Sequence, residues 1–246
     1  MRRHSLTFIA LTLTLALGAL LPAAASAEPA SSSADRDVLA PLYAKMKQRF
    51  TTRKPGASTG WVFDGVVVEF PEGEQVPPQR VLHLVYPRGT KFDMKRGGNC
   101  TASDEELTTE GVAACPGRSQ VGAGNGTLFL GLLGTWNVDV SLFTARPGFA
   151  LVVAAESGTV LKVIRMSVDG NEVTGDIAPS SLPGGYQPAF TQFFLRTEET
   201  GTARHPGLRT PDKCPKSGRW KFTYLPEYVE PYGVQRSTST MPCKRT

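Results

Sequence analysis

Histidine and cysteine are scarce, with three His and four Cys in 246 residues. Beyond the N-terminal region only His83 and His205 remain, too few for a typical multi-His zinc site, and no C-x-x-C spacing occurs. No metal or cofactor is expected. Charged residues make up 20% of the chain and the net charge is +5, with basic residues diluted by acids and no nucleic-acid-binding motif, so nucleic acid is not an expected partner. Past the N-terminal region no stretch approaches the ~18 uninterrupted apolar residues of a membrane-spanning helix. The longest apolar candidates are residues 127–133 and 149–155. No repeat of fixed period is found, and no linker inside residues 44–243 is long enough to divide two domains. Gly and Pro are plentiful instead, at 25 and 19, and favour many turns over long helices.

The N-terminus reads as a secretory signal peptide over residues 1–27. Arg2 and Arg3 supply a basic start, residues 6–21 an apolar run, and Ala25-Ser26-Ala27 an A-x-A cleavage site. Cleavage removes two bases and no acid, lowering the net charge of the product by two. Residues 28–43, rich in Ala, Ser and charge, suit a flexible leader, and residues 44–246 form the single expected domain. An exported chain meets an oxidising compartment, so four Cys are expected as two disulfides. Three pairings exist in principle, and local loop closure favours Cys100 with Cys115 and Cys214 with Cys243.

From Thr59 onward the apolar period is two. Trp136, Val138, Val140 and Leu142 fall on one face, and Trp220, Phe222 and Tyr224 repeat the pattern. Val160, Ile164, Met166 and Val168 share a face before Asp169-Gly170, after which residues 172–177 return as a hairpin. Further strands are expected at 61–70, 81–86, 149–155 and 190–197, giving about nine or ten. Residues 40–50 suit either a short helix or an opening strand. Ser103 and Glu106 form a capping box, predicting one short helix or turn near residues 103–113. The fold class is therefore all-β, an antiparallel β-sandwich with a jelly roll or barrel as alternatives.

Several strings resemble chemistry. Gly56-Ala57-Ser58-Thr59-Gly60 matches the hydrolase G-x-S-x-G pattern, but a Lys-Pro loop precedes it and a β-rich run follows it, so a turn before a strand is expected. Gly122-Ala123-Gly124-Asn125-Gly126 lacks the strand and helix of a phosphate-binding loop and reads as a Gly-rich strand allowing close backbone approach. His83, between Val81 and Val85, is expected to be an inward, hydrogen-bonded histidine, and His205 an exposed loop residue. No catalytic residue is nominated.

Two surface features carry the candidate sites. If Cys214 bonds Cys243, then Lys213, Lys216, Arg219 and Lys221 lie near Lys244 and Arg245, a basic patch suited to anionic cell-envelope polymers or lipid head groups. Tyr228 and Tyr232, among Pro226, Glu227, Glu230 and Pro231, are expected as a surface stacking site, while Trp220, Phe222 and Tyr224 are expected in the core.

The succession Leu82-x-Leu84-x-Tyr86-Pro87-x-Gly89-Thr90-x-Phe92, then Cys100, then Ala114-Cys115-Pro116-x-x-Ser119-x-Val121-Gly122-x-Gly124, then Cys214-Pro215-x-x-Gly218-x-Trp220-x-Phe222 and Pro242-Cys243 carries a match over about residues 44–243. It resembles a group of uncharacterised secreted actinobacterial β-rich proteins. The resemblance implies export, disulfides and a β-rich fold, and carries no reaction. The expected function is that of an exported, non-catalytic binding module, associated with the envelope or extracellular. The alternatives are an extracellular hydrolase using His83 or His205 and a purely structural surface protein.

Overall fold

Alternating apolar and polar side chains need a surface that is buried on one side only, and the chain supplies it by rolling one antiparallel sheet around its own apolar face. The computed structural model describes residues 44–67, 76–93, 98–177, 188–199, 201–202 and 205–244. The expected signal peptide and leader, residues 1–43, lie outside the described residues, as does Arg245.

The strands are β1 (Ala44–Phe50), β2 (Trp61–Val67), β3 (Gln79–Val85), β4 (Lys91–Phe92), β5 (Gln120–Phe129), β6 (Thr135–Thr144), β7 (Gly148–Ala155) and β8 (Val160–Asp169). They continue as β9 (Glu172–Asp176), β10 (Ala189–Thr197), β11 (Gly201–Thr202), β12 (His205–Pro206), β13 (Leu208–Arg209), β14 (Arg219–Tyr224), β15 (Glu227–Tyr228) and β16 (Ser237–Pro242). The main sheet runs β1-β2-β10-β5-β6-β7-β8-β9-β3-β14-β16, with β15 on β3. Every pairing is antiparallel, and β4 with β13 makes a small second sheet.

The two end strands meet through side chains. The Gln48 amide donates to Ser239 Oγ at 2.9 Å, and that hydroxyl donates back to the Gln48 carbonyl at 3.2 Å. The Phe50 amide donates to Met241 Sδ at 3.1 Å, and the Lys244 amide to the Arg53 carbonyl at 2.9 Å. The expected all-β antiparallel class is observed, in its barrel-like form. Residues 44–50 take the strand alternative, and their inward residues Met46, Gln48 and Phe50 are buried while Lys45, Lys47 and Arg49 are exposed.

The capping box and both disulfides form as expected. Ser103 Oγ accepts from the Glu106 amide at 3.1 Å, and Glu106 Oε2 accepts from the Ser103 amide at 2.7 Å, starting helix α1 (Asp104–Glu110). Hydrogen bonds from the Ser103 amide and the Ser103 hydroxyl hold the Glu106 carboxyl below its ordinary pKa. Cys100 bonds Cys115 and Cys214 bonds Cys243, with Cα atoms 4.9 Å and 5.7 Å apart. The first bridge ties α1 across the outside of the barrel, where Leu107 packs with Phe143, Ala150, Val152 and Val160. Arg165 Nε donates to Asp104 Oδ1 at 2.7 Å and fixes the helix to β8. This cover explains the unbroken apolar run in β7, since Leu151 and Val153 face the barrel interior while Ala150 and Val152 face the helix.

The G-x-S-x-G string is a turn leading into β2, with Gly56 at φ 62°. One face reading needs correction at its end. Val138, Val140 and Leu142 are buried as expected, but Trp136 sits at the rim of the barrel, 43% exposed, and its indole N–H donates to the Leu133 carbonyl. The alternation holds there, but the strand has outrun the core.

Candidate functional site

The barrel interior divides into a filled side and an open side. On the filled side, under β1, β14 and β16, Phe50 meets Trp220 at 5.4 Å and Phe222 at 4.9 Å between ring centroids, both edge-on. Trp61, Phe63 and Tyr86 form the boundary, Tyr86 lying 5.4 Å from Trp61 and 6.1 Å from Phe222. Beyond them is a cavity of about 410 Å³.

Its wall is built by strands far apart in sequence. Leu82 and Leu84 come from β3, Leu142 from β6, Phe149 and Leu151 from β7, Met166 from β8, Val173 from β9, and Phe193 and Leu195 from β10. Leu208 and Phe92 close one side from the small sheet. Asp93, Arg118 and Glu198 mark the rim, at the end of the barrel where β6 and β10 finish and β7 begins. Glu198 Oε1 pairs with Arg196 Nε at 3.2 Å. Two threonines in the lining are engaged by backbone: Thr144 Oγ1 donates to the Gly98 carbonyl at 2.6 Å, and Thr197 Oγ1 accepts from the Trp61 amide at 2.7 Å. The wall is thus apolar and the rim polar, as in pockets that take small apolar molecules.

Glycine bends the wall. Gly122, Gly124 and Gly126 lie on the inward face of β5, each paired with an inward residue of β10: Thr197, Leu195 and Phe193. A Cβ at Gly124 would collide with the Phe194 carbonyl, and one at Gly126 would stand 2.8 Å from the Gln192 carbonyl. Absence of side chains therefore lets the backbones of β5 and β10 approach closely and the sheet coil tightly beside the cavity. The expectation of a Gly-rich strand with close backbone approach is met.

Burial controls the tyrosines. Tyr86 and Tyr224 are buried and their phenols are held protonated well above the ordinary pKa by desolvation, with Tyr224 Oη donating to Gln79 Oε1 at 2.8 Å. Tyr228 was expected at the surface and is instead 3% exposed, its phenol also raised by burial. The short β15 strand pairs it against Gln79 of β3 and turns the ring inward. Proline and acid neighbours had suggested a surface loop, and the strand pairing overrides them. Tyr232 is half-buried in the following turn. The two tyrosines therefore make no exposed stacking platform.

His83 is also corrected. Leu82 and Leu84 are the inward residues of β3, so His83 faces outward, where Nε2 meets Glu172 Oε2 at 2.8 Å. It is hydrogen-bonded as expected, but away from the cavity lining. For His205 the described structure gives a place in β12 and nothing of its burial.

Of the basic candidates, Lys213, Lys216, Arg219 and Lys244 are all exposed. Arg219 lies along β16, donating from Nε and Nη2 to Thr240 Oγ1 at 3.1 Å and 2.9 Å. Sequence reasoning missed their neighbours: Lys47, Arg49, Arg53 and Arg196 line an outer groove with Ser239 and Thr240 at the β1–β16 seam. The alternation of bases in Lys45-x-Lys47-x-Arg49 was the available signal. Among the described residues no group of three or more His, Cys, Asp or Glu is placed to hold a metal ion. No helix of the described residues is long and apolar enough to cross a membrane.

No protein-family model matches this chain, and no curated protein matches it in sequence.

Proposed function

We propose that the chain is an exported binding protein that holds a small, mainly apolar molecule in the open side of its barrel. The observation that carries this reading is the cavity of about 410 Å³, walled by aliphatic and aromatic side chains and polar only at one rim. A volume of that order suits a ligand of modest size, and burying apolar surface supplies roughly 25 cal/mol per Å² toward binding. Two disulfides support export, since such bridges persist in oxidising compartments. The basic seam groove, with Arg219 and Lys244 nearby, supports retention at an anionic envelope surface. No catalytic step is part of the proposal.

The test is a fluorescence titration of the purified mature chain with an apolar naphthalene dye, read through Trp61 in the cavity wall. One saturable site per chain is expected, weakened by Leu142→Phe, which puts a larger ring into the cavity. Non-saturating signal, or a titration indifferent to Leu142→Phe, would overturn the reading. For envelope retention, cell fractionation at rising salt should release the protein; retention independent of salt would remove the electrostatic part.

A further inference from the structure

The lower limit of the cavity is drawn by aromatic rings rather than by the end of the barrel. Phe63, Leu82, Leu151 and Phe193 line the large cavity, and the same four side chains line a second void of about 40 Å³ on their far side. That void is reached from the opposite direction, from Met46 at the start of β1, Gly65 of β2 and Phe190 at the start of β10. The four residues are therefore a partition across the barrel, with unfilled space above and below.

The partition is locked by ring contacts. Phe63 and Phe193 meet edge-on at 5.2 Å and 83°, and Phe193 meets Phe190 edge-on at 5.1 Å and 86°. Phe193 has glycine as its partner on both sides, Gly65 on β2 and Gly126 on β5. A Cβ at Gly65 would stand 2.6 Å from the Phe63 ring, and one at Gly126 3.2 Å from the Phe190 ring. Glycine on both flanks thus gives these rings the room to lie across the barrel. Phe193, although inward, is only half-buried, because its ring borders open space. At the other end of the large cavity, Arg118 is exposed at the rim and joins no ion pair among the described residues, whereas Glu198 is matched by Arg196.

From this geometry we infer that the ligand is a single-chain amphiphile with an anionic head, its head at Arg118 and its chain directed along the barrel toward a Phe63–Phe193 floor that limits chain length. This deepens the binding reading above and rests on it. An apolar wall rewards each added methylene until the tail reaches the rings, after which further carbons must stay in water. The second void of about 40 Å³ beyond the rings is the room that a longer tail would gain if the floor were opened.

The test is a competition series of straight-chain carboxylates from six to eighteen carbons, with the matching alcohols, against the dye on the folded mature protein. For the wild type, affinity is expected to rise about fourfold per methylene and then level off. Phe193→Ala is expected to keep the slope and move the levelling point several carbons longer. Leu151→Phe, which thickens the floor, is expected to move it shorter and decides the matter if Phe193→Ala fails to fold. Arg118→Gln is expected to weaken carboxylates about tenfold, the scale of a charge-assisted hydrogen bond, and leave alcohols unchanged. A levelling point unmoved in the floor variants, or carboxylates bound no better than alcohols, overturns this inference while leaving the binding reading intact. A wild type that binds neither dye nor any chain overturns the binding reading itself.

Discussion

The two sides of the barrel interior use the same residue classes to opposite ends. Under β1, β14 and β16, large rings from facing strands interlock, and Phe50, Trp220 and Phe222 are almost wholly buried. Beside β5 and β10 the inward positions hold Gly122, Gly124 and Gly126, and the neighbouring leucines face a cavity. Close ring packing is therefore concentrated on one side, and the other keeps unfilled space. Sheet coiling connects the two, since the close approach of β5 and β10 at these glycines helps the sheet to turn far enough for β1 to meet β16.

The contrast is tested most strongly by large-to-small changes. Phe222→Ala on the filled side should cost about 3–5 kcal/mol in urea unfolding. Leu142→Ala, facing the cavity, should cost nearer 2 kcal/mol, because fewer packed neighbours lose contact. Equal losses would mean that the two sides are packed alike.

Next in size are the covalent ties. Replacing Cys214 and Cys243 by Ser, which opens a separation of 29 residues, should cost about 3 kcal/mol. This tie holds the filled side, where the Cys243 amide also donates to the Gly218 carbonyl at 2.9 Å. The Cys100–Cys115 pair closes a separation of 15 residues outside the barrel, and its loss should free α1 while sparing dye binding. Loss of both binding and helix on opening this bridge would show that the outer cover also shapes the cavity.

Enlargement should reverse the order of the two sides. Leu142→Phe fills space and is expected to change stability by less than about 1 kcal/mol. Phe222→Trp, buried on the filled side and away from the cavity lining, should cost about 1–3 kcal/mol by overpacking. Thermal unfolding of the two variants side by side measures the difference.

Most of the architecture was legible because two-residue alternation and turn chemistry are local. The 160–177 hairpin, the capping box at Ser103 and the alternation of Trp220, Phe222 and Tyr224 were all read from neighbouring residues. Closure into a barrel was left as an alternative, since the β1–β16 contacts join residues 191 apart. The cavity was harder still: its lining draws one to three residues from each of at least six strands, and no window of sequence contains them together. The glycines at 122, 124 and 126 gave the close approach of backbones but not the cavity. His83 faces outward because one residue of register decides which side of a strand faces inward, and Tyr228 is buried because pairing with β3 overrides the loop that its proline and acid neighbours suggest.

The smallest expected effect concerns a flaw on the filled side. Among the described residues the buried Trp220 indole N–H finds no hydrogen-bond partner, a desolvation cost of about 1–3 kcal/mol. Trp220→Phe removes that cost together with some ring contact, so stability should stay within about 1 kcal/mol of wild type in chemical unfolding. A loss comparable to that of Phe222→Ala would show that the indole contributes chiefly through packing or through a bound water.

The division into a filled and an open side is tested most directly by diffraction from crystals of the mature chain under xenon pressure, because xenon enters unfilled apolar space without needing a particular head group. Xenon bound among Leu84, Leu142, Phe149 and Leu151, with none beside Phe50 and Phe222, is the result predicted. A barrel that takes up no xenon, or takes it up on both sides alike, would contradict the account.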